Sequence, residues 1–91
     1  MKQIESVEMY VRGSCPFCVK AKELLRQRGI PVDVYEVGRD VSKEDIQSRV
    51  DAMGLNVQIR TVPQIFAEIK NQEDWEYIGG HDDLVNFLRQ S

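Results

Sequence analysis

The chain has 91 residues, with 15 acidic and 12 basic side chains, a net charge of −3 and two cysteines. That length fills a single core, so one domain over residues 1–91 is expected. The acidic balance, with a pI near 5.1, argues against a nucleic-acid partner. No run approaches the roughly 20 apolar residues of a membrane span, so no membrane is expected either. Residues 1–9 carry Lys2, Glu5 and Glu8 and no apolar stretch of the secretory kind. A cytoplasmic, reducing setting follows as the expectation.

Taken in order, residues 6–11 alternate, with Val7, Met9 and Val11 on one face, which predicts a first strand. Arg12, Gly13 and Ser14 turn the chain into Cys15-Pro16-Phe17-Cys18. From 16 to 28 the pattern becomes helical, with Phe17, Ala21, Leu24 and Leu25 on one face. Gly29 and Pro31 end that helix. Residues 32–37 are rich in β-branched and aromatic types and predict a second strand, parallel to the first.

Ser42 and Asp45 have capping-box spacing ahead of a second helix marked by Ile46, Val50 and Met53 and ended by Gly54. Residues 55–60 form a connector without an assigned element. A third strand runs from Val62, where Pro63 is tolerated because it stands at the strand's start. A polar turn over 70–73 leads to a fourth strand over 75–78. Gly79 and Gly80 break it, and His81, Asp82 and Asp83 open a last helix with Leu84, Val85, Phe87 and Leu88 on its apolar face. The predicted class is α/β, in the order βαβαββα, with three helices covering both faces of a four-stranded mixed sheet.

The only two cysteines stand two residues apart where a strand enters a helix. Cys15 falls at the cap position and Pro16 at the first helical position, where no N–H is needed. Unpaired N–H groups and the partial positive charge of a helix N-terminus stabilise a thiolate. A thiol so placed ionises below the ~8.5 of a free cysteine. Cys18, one turn in, is more shielded and can resolve what Cys15 attacks. A purely structural disulfide is a weaker reading, because so short a loop removes only roughly 2 kcal/mol of unfolded-state entropy. A zinc site would need a carboxylate to complete two Cys and one His. A CxxC inside a βαβ pattern is a redox signal, and Cys15 and Cys18 are the expected catalytic pair.

Three blocks, Cys15-Pro16-Phe17-Cys18, Thr61-Val62-Pro63-Gln64-Ile65-Phe66 and Gly79-Gly80-His81-Asp82-Asp83-Leu84, resemble the dithiol glutaredoxins of the thioredoxin-like superfamily in content, order and spacing. The second helix and connector look most like those of small bacterial and bacteriophage members. The resemblance implies the thioredoxin-like fold, glutathione as co-substrate and a cis bond before Pro63. It implies that Val62 offers its backbone to the cysteine of glutathione as a short added strand, with Thr61 lining the same groove. The N–H groups of His81 and Asp82, after Gly80, would hold the γ-glutamyl carboxylate, and the Asp82 side chain its ammonium. Helix capping is the plainer role for Asp82 and Asp83. Arg12, where the family commonly has a lysine, would hold the glycyl carboxylate. Arg60 either assists or is a solvated charge.

This chain departs from the common pattern at Phe17 and His81 as well. Phe17 replaces a usual tyrosine, keeping the ring at the site rim without the hydroxyl. His81 often corresponds to a cysteine in bacterial relatives; it either tunes the thiol near pH 6–7 or simply starts the helix. The expected activity is glutathione-dependent reduction of protein–glutathione mixed disulfides and protein disulfides, without a metal, by a monomer. Ribonucleotide reductase is among the protein partners that the resemblance suggests. Two alternatives stand beside it: a thioredoxin-like donor recharged by a flavoprotein reductase, and an iron–sulfur cluster carrier. The Gly79–Asp83 block speaks against the first, and Pro16 disfavours the second.

Overall fold

In a computed structural model the described residues are 2–90; Met1 and Ser91, the two ends of the expected domain, lie outside them. The elements are β1 (Ile4–Val11), α1 (Pro16–Gln27), β2 (Val32–Glu36), α2 (Lys43–Ala52), β3 (Gln64–Ile69), β4 (Glu76–Gly79) and α3 (His81–Gln90). The βαβαββα order is the predicted one. Strand order is β2-β1-β3-β4. β1 pairs parallel with β2, Val7 opposite Val32, and antiparallel with β3, Met9 opposite Ile65.

Strand ends differ from the sequence pattern by one or two residues. β1 begins earlier, at Ile4, because Ile4 pairs with Ile69 beyond a register shift. β3 begins later, at Gln64, since Pro63 has no N–H to give a ladder. β4 reaches Gly79, which pairs with Ile65.

The alternation in β1 builds two cores. Val7, Met9 and Val11 pack with Ala21 and Leu25 of α1, Ile65, Ala67 and Ile69 of β3, and Leu84 and Leu88 of α3. Tyr10 and Phe66 point to the other face, against Ile46 and Val50 of α2 and Ile59. Leu25 is fully buried; truncating such a side chain to alanine costs about 2–5 kcal/mol.

Helix α2 is held at its start and along its length. Ser42 Oγ accepts the Asp45 N–H at 3.0 Å, and Asp45 Oδ2 accepts the Ser42 N–H at 2.9 Å. The hydrogen bond from the Ser42 backbone, then that from its hydroxyl, holds the Asp45 carboxyl below the ordinary carboxylate range. Further along, Arg49 Nη1 donates to Glu8 Oε1 at 2.6 Å and to the Tyr10 hydroxyl at 3.0 Å. Its guanidinium carbon lies 4.1 Å from the centre of the Phe66 ring. One side chain thus joins α2 to both central strands.

Candidate active site

Cys15 is the N-cap of α1, with extended backbone, and Pro16 follows at the first turn. Its Sγ accepts the Cys18 N–H at 3.2 Å. Cys15 and Cys18 are joined as a disulfide with their Cα atoms 5.2 Å apart. Cys15 is half-buried while Cys18 is 2% exposed, so the outer sulfur is the one within reach of a substrate. No acidic residue lies in the first turn of α1 to oppose the helix dipole.

The peptide bond between Val62 and Pro63 is cis. The Val62 carbonyl oxygen lies 3.7 Å from Cys15 Sγ. A disulfide sulfur has no proton to give, so this is a contact of two acceptors, and the carbonyl stays open to a donor. The segment before Pro63 is held from behind by two glutamines. Buried Gln64 donates from Nε2 to the Thr61 carbonyl at 2.8 Å and accepts the Tyr77 hydroxyl on Oε1 at 2.6 Å. Gln47 donates to the Val57 carbonyl at 2.8 Å and accepts the Ile59 N–H at 2.9 Å, which pins the connector that the sequence left unassigned. Neither glutamine was singled out from sequence. Gln47's backbone partners and Gln64's Tyr77 lie ten or more residues away, and such bonds leave no local pattern.

A groove of about 330 Å³ is lined by Phe17, Thr61, Val62, Pro63, Gly80, His81, Asp82 and Asp83. These are the expected glutathione-contacting residues without Arg12, and with Asp83 added. Phe17 forms one rim, 53% exposed, with its ring centre 5.7 Å from that of His81. Lys20 Nζ sits 5.2 Å from the same ring. Arg12 stands instead over an adjoining cavity of about 110 Å³, which it shares with Lys43, Arg60, Thr61 and Val62.

At the far end of the groove the two aspartates divide their roles. Asp83 Oδ2 accepts the Gly80 N–H at 2.9 Å. The Asp82 side chain is 93% exposed, and its Oδ1 lies 3.0 Å from His81 Nδ1. The capping role expected as the plainer one for both aspartates is thus seen at Asp83. Gly79 has φ +114°, and a Cβ there would run into the Asp83 carboxylate. Gly80 has no side chain with which to cap the N–H groups of the first turn of α3, and His81 and Asp82 of that turn line the groove.

A CxxC at the mouth of α1, beside a cis-proline turn at one end of a four-stranded mixed sheet, defines a thiol–disulfide oxidoreductase of thioredoxin-like fold. Within that class the chain belongs to the glutaredoxin family, whose profile matches residues 7–72. It is 31% identical to glutaredoxin 1 of Rickettsia prowazekii over 87 residues, covering 96% of this chain and 81% of that protein. It is 34% identical to the hybrid peroxiredoxin hyPrx5 of Haemophilus influenzae over 92% of this chain, but spans only 30% of that longer protein. Among solved structures, glutaredoxin 1 from Francisella tularensis, complexed with cacodylate, superposes with a TM-score of 0.68 at 28% identity, covering 93% of each chain.

Proposed function

We propose that this protein is a glutathione-dependent disulfide oxidoreductase that reduces protein–glutathione mixed disulfides and protein disulfides. One observation carries the reading: the groove beside Cys15 gathers Phe17, then Thr61, Val62 and Pro63, then Gly80, His81 and Asp82, from three separate parts of the chain. The Val62 carbonyl beside Cys15 matches the N–H of a glutathione cysteine laid along it as a short strand. The N–H groups at the start of α3 suit the γ-glutamyl carboxylate. The Asp82 carboxylate, 93% exposed beside His81 Nδ1, suits the ammonium. Arg12 and Arg60, which make no ion pair among the described residues, suit the glycyl carboxylate from the adjoining cavity.

In the proposed cycle the Cys15 thiolate attacks the glutathione sulfur of a mixed disulfide, and the substrate thiolate leaves with the bonding pair and takes up a proton. A second glutathione thiolate attacks the sulfur held on Cys15, restoring the Cys15 thiolate and releasing oxidised glutathione. With a protein disulfide, Cys15 forms the mixed disulfide with the substrate and Cys18 displaces it. Glutaredoxin couples lie at about −200 to −230 mV, within reach of the cytosolic glutathione pool. A monomer working in a reducing cytoplasm fits this chemistry, and ribonucleotide reductase is one candidate protein partner.

The test is a coupled assay with glutathione, glutathione reductase and a small glutathione mixed disulfide. Turnover that saturates with glutathione is expected. Reduction that proceeds only with a flavoprotein thioredoxin reductase would replace this reading with that of a thioredoxin-like donor.

A further inference from the structure

Cys15 stands between two grooves that share no lining residue. The first, on the β3 and α3 side, is described above. The second, of about 300 Å³, opens toward β2, and both Cys15 and Cys18 contribute to its walls. Strand β2 is an edge of the sheet, so no further strand pairs along that flank.

Two features make this flank unusual. Val19 of α1 and Val34 of β2 line it, and they are 61% and 39% exposed. Arg12, Lys22 and Arg39 line it as well, against one carboxylate, Glu36. Arg39 is engaged by Asp40, whereas Arg12 and Lys22 make no ion pair among the described residues. This cationic surplus runs against the chain's overall charge of −3.

We infer that this second groove docks the protein side of the disulfide, and that it selects a substrate cysteine flanked by an apolar side chain and a carboxylate. The valines offer apolar area beside the reacting sulfurs, and the unpaired Lys22, which the glutathione reading does not use, attracts the carboxylate. A mixed disulfide has two halves; with one half on the α3 flank, the other extends along the β2 flank. The inference rests on exchange at Cys15 and not on glutathione being the other half, so the two readings fail separately.

The experiment uses the pre-reduced full chain and short peptides whose single cysteine is disulfide-linked to thionitrobenzoate. The Cys15 thiolate attacks the peptide sulfur and thionitrobenzoate leaves as the coloured thiolate. Cys18, giving up its proton, then displaces the peptide thiolate and closes the Cys15–Cys18 disulfide. Three peptides are compared, with Leu and Glu, Leu and Lys, or Gly and Gln beside the cysteine. The Leu–Glu peptide is expected to react about tenfold faster than the Leu–Lys peptide at low ionic strength, with the gap narrowing in salt. Lys22→Glu should shrink or invert that ratio and leave the Gly–Gln rate unchanged, with Lys22→Gln intermediate. Val19→Ser should slow the Leu–Glu peptide about threefold and spare Gly–Gln. Equal rates for the Leu–Glu and Leu–Lys peptides, or faster reaction of the latter as the net charge alone would favour, would overturn the inference. So would equal slowing of all three by Lys22→Glu, which would place Lys22's effect on the thiol itself.

Discussion

Asp83 closes the start of α3 by accepting the Gly80 N–H at 2.9 Å, while its neighbour Asp82 projects into the groove with its side chain 93% exposed. Adjacent residues of one type therefore carry separable duties. Asp83→Ala should lower stability by about 1 kcal/mol, the usual value of a lost cap interaction. Asp82→Ala should leave the melting temperature within error and raise KM for glutathione roughly fivefold, as expected of an exposed charge contact worth about 1 kcal/mol. Thermal denaturation and steady-state kinetics on both variants check this. The reverse pattern would return Asp82 to helix capping.

The two cysteines should separate in the same way. Cys15→Ser is expected to abolish all activity, because a hydroxyl cannot supply the attacking thiolate. Cys18→Ser should keep or increase reduction of a small glutathione mixed disulfide, since a second glutathione resolves Cys15. It should slow reduction of a protein disulfide, where an intramolecular attack gives way to a bimolecular one. Parallel loss of both activities in Cys18→Ser would indicate an obligate dithiol cycle.

Arg49 is expected to matter for stability and not for turnover. Its hydrogen bonds to Glu8 and Tyr10, and its place over Phe66, lie on the α2 face, away from Cys15. Arg49→Ala should cost about 1–3 kcal/mol, from the lost charged hydrogen bonds and ring contact. Arg49→Lys should recover only part, because an ammonium lacks the planar fork. Denaturant titration with unchanged kinetics in the folded range is the expected result.

Acid should loosen the start of α2. The Asp45 carboxyl is held below its ordinary value of 3.8 by its hydrogen bonds to Ser42. A carboxyl with a lowered pKa in the fold stabilises it above the ordinary value. That contribution is lost as pH falls through the lowered one. The stability difference between the wild type and Asp45→Asn should therefore be constant near neutrality and shrink below pH 3.8. A difference that persists undiminished at pH 2–3 would assign the effect to the amide's geometry instead.

Much of this molecule was legible in the chain because its causes are local. Alternation at Val7, Met9 and Val11 follows from the two-residue period of a strand, and their burial on one face bears it out. The Ser42–Asp45 box and the placement of Cys15 ahead of Pro16 depend on atoms within one helical turn. The Thr61–Phe66 and Gly79–Leu84 blocks carried the family. What only the tertiary structure decided are relations across the sheet. Gln64 receiving the Tyr77 hydroxyl, Gln47 pinning Val57 and Ile59, and Arg49 joining Glu8 and Tyr10 each bind residues that the chain alone does not bring together. The same holds for Arg12, which stands beside the main groove and not within it. A side chain's type limits which bonds it can form; which partner it meets depends on how β1, β3 and α2 are packed, and that is a property of the folded chain.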